Sequence, residues 1–203
     1  MASIQQNGVH ICNGVLISEE VVLTPAHCLR NPYETPYEKY SLDSLRVMVG
    51  SHFNHRYDER SIIYSHVKAI VEHPYYKYDN PNRDYDVVAL YLDVSLERLI
   101  GSNSSVDLIS LPDHNQTMLD LLDMQVYIVG WPLYTGPTQH YRADYSVRLQ
   151  WANATSLTNG QCHYHFASYM DDTLNLTNRV FCTESSFCVV CYLNLIIVSL
   201  SIY

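Results

Sequence analysis

Two cysteines flank a hairpin pattern near the start of the chain, and they constrain its folding more than any other feature. Between Cys12 and Cys28 lie two apolar runs of strand length, Val15-Leu16-Ile17 and Val21-Val22-Leu23-Thr24, separated by Ser18-Glu19-Glu20. Short apolar runs on either side of a polar turn predict antiparallel pairing, which brings the two sulfurs together. A bridge closing a loop of about fifteen residues contributes about 3 kcal/mol. It would also pin His27, its direct neighbour. The chain has ten histidines, and nine read as ordinary surface or core residues. One held rigid beside a disulfide is a candidate general base, because proton transfer needs fixed geometry.

The rest of the chain is also extended in pattern. Arg46-Val47-Met48-Val49 runs into Gly50, and residues 61–72 are rich in Ile, Val and Tyr before stopping at His73-Pro74. Val87 to Leu92 and Met124 to Val129 are short apolar runs, and Val147 to Ala152 alternates more openly. Runs of this length, bounded by Asn, Asp, Pro, Gly and Ser at regular spacing, predict an antiparallel all-β sandwich or barrel. A length of 203 residues suits one ordinary domain or two small ones. Leu111 to Asp123, polar and then weakly helical, is the candidate boundary. Apolar residues at 47% against 16% charged exclude disorder and coiled coil. Twelve Lys and Arg against twenty-one Asp and Glu, with no basic block, exclude nucleic-acid binding.

Six cysteines accompany four Asn-X-Ser/Thr sequons, at Asn103, Asn115, Asn153 and Asn175, all in polar stretches that read as surface loops. Together they predict a secreted, disulfide-containing glycoprotein. Residues 1–20 have neither the basic start nor the apolar run of a signal peptide, so Met1 is not expected to be the natural start. From Cys188 to Tyr203 the chain has no charge, Gly or Pro. That stretch is shorter than the roughly eighteen apolar residues of a membrane span. A short anchor, a buried strand pair and a spurious translated tail remain open; the spurious tail is the expectation, and membrane attachment is not. Cys188 and Cys191 have C-x-x-C spacing without a second pair, so no zinc site is expected there. Cys162-His163-Tyr164-His165 offers a second set of metal-ligand types.

Asp86 opens the apolar run Val87-Val88-Ala89-Leu90-Tyr91-Leu92. A partly desolvated acid there needs a charged or hydrogen-bonding partner, and an imidazole is a natural one. By spacing alone it reads as the cap of a turn. The two segments together say more. His10-Ile-Cys12-Asn13-Gly14-Val-Leu-Ile17-Ser18 followed by Val21-Val-Leu-Thr24-Pro25-Ala26-His27-Cys28 resembles the H-x-C-G-G-x-L-I-x…V-L-T-A-A-H-C block of trypsin/chymotrypsin-like serine proteases. Asp84-Tyr85-Asp86-Val-Val-Ala89-Leu90 resembles that family's D-I-A-L block. Val47-Met48-Val49-Gly50, Val71-Glu72-His73-Pro74-Tyr75 and Tyr127-Ile-Val-Gly130-Trp131 follow in the family's order, as do Leu149-Gln150 through Cys162 and Arg179-Val-Phe-Cys182.

The resemblance implies a trypsin-like double β-barrel of Greek-key type. It implies a first barrel over 1–115 carrying His27 and Asp86, an incomplete second barrel over 116–187, and an apolar tail over 188–203. His27 would be the general base and Asp86 its orienting carboxylate. Cys12–Cys28 and Cys162–Cys182 would be structural bridges, which removes Cys162 from the metal-ligand set. No cofactor or metal is implied. Partners would be protein or peptide substrates, or a protein partner if the chain is inactive.

Several positions depart from the pattern. Asn13 replaces a Gly, Pro25 an Ala, Pro132 a Gly, and Val126 a common Cys. The family's nucleophile sits in G-D-S-G-G-P, whereas no Gly follows Gly160 here, and Ser185 and Ser186 lie in Thr-Glu-Ser-Ser-Phe without flanking glycines. Ser199 and Ser201 lie in the apolar tail. The expectation is a serine endopeptidase homologue without its nucleophile segment and inactive as written, or else an inactive homologue serving as a secreted binding or decoy module.

Overall fold

The first strand pair is a tight hairpin signalled by one dipeptide. Strands β1 (Ala2–Gln6) and β2 (Val9–Ser18) pair antiparallel with Gln6 opposite Val9. Asn7 and Gly8 are therefore the whole turn, at φ 49° and 84°. Two positive φ values are what a two-residue primed turn demands, and Asn-Gly meets that demand at least cost. The expected strand runs did not include β1. The computed structural model describes residues 1–31, 38–54, 62–79, 84–97, 100, 106–111, 124–131, 133–134, 144–145, 148–167, 182–184 and 197–198.

Strand β2 turns into β3 (Val21–Thr24), the hairpin expected between Cys12 and Cys28, and β4 (Leu45–Val49), β5 (Ile63–Glu72) and β6 (Val88–Leu92) follow. These six strands form a closed barrel in the order β1-β2-β3-β6-β5-β4. Closure pairs every strand on both sides and removes the unpaired edges that invite aggregation. The core is made by Ile4, Leu16, Val22, Leu45, Val47, Leu90 and Leu92, all buried. Gly14 is required where β2 crosses that core. A Cβ there would lie 2.7 Å from Val22 Cγ1 and 3.0 Å from Ile4 Cδ1, inside contact distance of side chains that cannot swing away.

Beyond the barrel come β7 (Gln125–Gly130), β8 (Leu133–Tyr134), β9 (Asp144–Tyr145), β10 (Gln150–Leu157), helix α1 (Asn159–Ala167), β11 (Cys182–Glu184) and β12 (Ile197–Val198). Four of them form a sheet in the order β11-β10-β7-β12, and β8 pairs with β9. The architecture is thus all-β, a closed six-stranded barrel with a partial second one. Strand β10 lies further along than the run expected from Val147 to Ala152. Within it Asn153 is exposed on a strand and not in a loop. Ile197 and Val198 of the apolar tail pair with Ile128 and Tyr127 of β7. The boundaries expected near 115 and 187 fall outside the described residues.

Helix α1 was not anticipated, yet its signal is in the sequence. Thr158 Oγ1 accepts from the Gln161 backbone N–H at 3.2 Å, and Gln161 Oε1 accepts from the Thr158 backbone N–H at 2.8 Å. That reciprocal pair is a capping box, and Thr-x-x-Gln is its signature.

A buried polar seam joins the second sheet to the barrel. Trp131, which follows β7, is fully buried; its backbone N–H donates to Asn13 Oδ1 at 2.9 Å and its Nε1–H to the His52 carbonyl at 3.1 Å. The His10 ring meets the Trp131 ring edge-on at 5.5 Å, and its Nδ1 bonds Ser3 Oγ at 2.7 Å. Burial pushes the His10 imidazole down to about 4 from 6.5. The unfolded chain therefore binds the extra proton between those values, so the neutral ring's contribution is complete above 6.5 and is lost as pH falls toward 4. Urea unfolding at about pH 7.5 and about pH 4.5 is expected to show the native protein losing about 2–3 kcal/mol more than His10→Gln. An equal loss in both proteins would contradict this.

Candidate active site

Strand pairing alone brings the two candidate catalytic residues together. Thr24, the last residue of β3, sits opposite Val88, the first of β6. Antiparallel strands run past each other, so the chain leaving β3 and the chain entering β6 meet at the same end of the barrel. His27 lies three residues beyond Thr24 and Asp86 two residues before Val88. Pro25 is extended, at ψ 138°, and leads into a single 3-10 turn, Ala26–Leu29. Ala26, Cys28 and Leu29 of that turn are buried, which leaves His27 as the side chain facing the barrel's end.

Asp86 holds His27 at two points. Its Oδ2 lies 2.5 Å from His27 Nδ1, and its Oδ1 accepts the His27 backbone N–H at 2.8 Å. A carboxylate only accepts, so Nδ1 carries a proton, and in the neutral ring Nε2 then keeps its lone pair. The side chains are 18% and 10% exposed. The pair is shielded from water's competition while the ring keeps an open side. The ring cannot rotate without breaking one bond, and the turn cannot shift without breaking the other.

The disulfide Cys12–Cys28 fixes the turn from the other side, with Cα atoms 6.0 Å apart. Cys28 Sγ lies 3.8 Å from His27 Nε2. The ligand atoms of Cys12, His27 and Cys28 all fall within 4.8 Å of one another. Both sulfurs are bonded to each other, however, so the trio is no ligand set while the bridge is intact. The second bridge, Cys162–Cys182, ties α1 to β11 across 5.8 Å, and Cys162 is spent there.

Around Asp86 the backbone is held by contacts that the sequence did not indicate. Tyr85 has φ 57°, unusual for an aromatic residue. Its carbonyl accepts from the Val87 N–H at 2.7 Å, and the Val87 carbonyl accepts from the His73 N–H at 3.1 Å. The Tyr85 ring stacks on His73, with centroids 4.5 Å apart and planes within 14°. Neither the bend nor the stack leaves a mark that residue types alone would show.

The sequence that builds this end of the barrel matches a known family. The family model described as Trypsin matches residues 1–189. The chain belongs to the trypsin family. Human trypsin-3 is 32% identical over 176 residues, covering 87% of this chain and 47% of that protein. Human granzyme M is 32% identical over 136 residues, 66% of this chain and 44% of its own length. The macaque (Macaca fascicularis) chymotrypsin-like elastase family member 1 is 34% identical over 122 residues, 60% of this chain and 40% of its own. The chain thus spans less than half the length of these curated trypsin-family relatives.

Not every candidate is placed. Asn103, Asn115, Asn175, Ser185, Ser186, Ser199, Ser201, Cys188 and Cys191 lie outside the described residues. The family pattern also hid a role for Asn13. Its amide is the acceptor that seats Trp131, and its carbonyl accepts from Thr24 Oγ1 at 2.8 Å. Replacing Asp86 by Ala is expected to cost about 1–3 kcal/mol in chemical unfolding, since it strands a shielded backbone N–H. A change below about 0.5 kcal/mol would show that the two-point hold carries no stability.

Proposed function

We propose that this chain carries the His–Asp half of a trypsin-like serine endopeptidase site. What supports the reading is the double hold of Asp86 on His27 in a protein of the trypsin family. In this reading His27 Nε2 takes the proton from a nucleophilic hydroxyl as it attacks a peptide carbonyl, and then delivers it to the departing amine. Asp86 keeps the ring in the Nδ1–H tautomer and offsets the positive charge when the imidazolium forms. The substrates are proteins or peptides. The two disulfides support an extracellular, oxidising setting, and among the described residues no helix is long and apolar enough to cross a membrane. The chemistry takes no cofactor.

The nucleophile is the part that residues 1–203 do not supply. Gly-Asp-Ser-Gly-Gly-Pro does not occur in them, and no glycine follows Gly160. Glycines around the serine let backbone N–H groups turn toward the developing oxyanion, where losing one donor costs roughly 2.7–4 kcal/mol. We therefore read residues 1–203 by themselves as unable to cleave peptides through a triad. The same observation favours a second reading, in which the chain is a protease homologue that keeps His27 and Asp86 by descent and acts as a secreted binding or decoy module. Transcript sequence across the codons after Phe187 separates the two readings. The first expects a Gly-flanked serine block from that locus, and the second expects none.

A serine-directed fluorophosphonate probe tests the claim on the chain as written. No stoichiometric labelling is expected from folded protein. Labelling at one equivalent that disappears in His27→Ala would overturn it.

A further inference from the structure

Strand β10 presents an asparagine in surroundings unlike those of an ordinary exposed side chain. Side chains alternate along a strand, and here Ala154 and Ser156 are buried while Trp151, Asn153 and Thr155 share the outward face. The register sets Tyr127 of β7 directly opposite Asn153, and Val129 opposite Trp151. The Tyr127 and Trp151 rings lie 5.8 Å apart, tilted by 58°. Asn153 therefore has one aromatic ring across the ladder and another two residues back on its own strand, and Trp151 is 68% exposed. Thr155 completes the Asn153-Ala154-Thr155 sequon. Its Oγ1 accepts from Gln125 Nε2 at 2.8 Å, fixing that end of the sequon to β7.

We propose that Asn153 bears an N-linked glycan whose first sugar packs its C–H face onto Trp151 and Tyr127. The donor is an oligosaccharide linked to lipid pyrophosphate. The bond from sugar C1 to the pyrophosphate oxygen breaks, a bond from C1 to Asn153 Nδ2 forms, Nδ2 loses one proton, and lipid pyrophosphate leaves. No oxidant or reductant is needed. The transfer takes place on the extended chain, before β10 zips onto β7. The two disulfides belong to the same oxidising compartment as that donor. Once β10 is paired, the strand face that directs Trp151 outward directs the sugar outward beside it. A pyranose ring has an apolar face of C–H bonds, and an exposed indole offers it a flat apolar surface to cover. The glycan thereby shields the outer face of the β7–β10 pair and stabilises the second sheet.

The full chain, directed into the secretory route of a eukaryotic cell, provides the test. Enzymatic release of N-glycans in heavy-oxygen water converts each occupied asparagine to a mass-tagged aspartate. Asn153 is expected to carry the tag in most molecules, and an untagged Asn153 would overturn the proposal at once. The second arm compares thermal midpoints of glycosylated protein and of Asn153→Gln, each with and without Trp151→Ser. The glycan is expected to raise the midpoint by about 2–4 °C when Trp151 is present and by less than half of that in Trp151→Ser. An equal increment in both backgrounds would show that the sugar does not rest on the indole. Trp151 is exposed, so its substitution leaves the core intact, and the comparison within each background cancels any effect of the substitution itself.

Discussion

The pairing of β3 with β6 is the constraint from which the rest follows. It joins two segments some sixty residues apart in sequence and sets their register by a ladder running from Val21 opposite Tyr91 to Thr24 opposite Val88. His27 and Asp86 both lie just past the Thr24–Val88 end of that ladder. No loop has to fold over to bring them together, since the barrel already does so. The disulfide on one side and the Tyr85–His73 stack on the other hold the two ends once they have met. This division of labour suits general-base chemistry, in which a displacement of about 1 Å costs roughly a hundredfold in rate.

A second dependence runs through the seam between the barrel and the second sheet. Trp131 brings a large apolar ring and two N–H donors into a buried place, and both donors find carbonyl-type acceptors on the barrel, at Asn13 and His52. A glycine at position 13 could offer no such side chain. Asn13 thus departs from the family pattern and also forms the contact that locks the second sheet to the first. Gln5 extends the same network, accepting from Arg46 Nε at 2.7 Å and donating to the Asn54 carbonyl at 3.0 Å. Arg46 lies over the Tyr64 ring at 4.6 Å, so the network reaches β5.

Much of this was legible in the residues. The hairpin between Cys12 and Cys28, the strands β4 to β7 and the candidacy of His27 all follow from apolar runs and their punctuation, because period-two burial is written directly into residue order. Asp86 was legible only in part: its position before β6 was plain, but its partner lies fifty-nine residues away, and no local pattern encodes a contact at that distance. The family resemblance supplied the link. Strand β1 and helix α1 carry only short local signals, the Asn7-Gly8 turn and the Thr158-x-x-Gln161 capping box, with no long apolar run to accompany them. The left-handed backbone at Tyr85 and the amide of Asn13 on Trp131 are different. They arise from packing between distant segments, which residue types alone do not specify.

The central claim is that Asp86 fixes neutral His27 as the Nδ1–H tautomer, the form that the proposed general-base role requires. Nitrogen-15 NMR of the imidazoles reads this directly, because protonated and unprotonated ring nitrogens resonate far apart. At a pH where His27 is neutral, its Nδ1 is expected to carry a strongly downfield, slowly exchanging proton that disappears in Asp86→Ala, while Nε2 carries none. A neutral His27 protonated at Nε2, or an Nδ1–H signal unchanged by Asp86→Ala, would contradict the account.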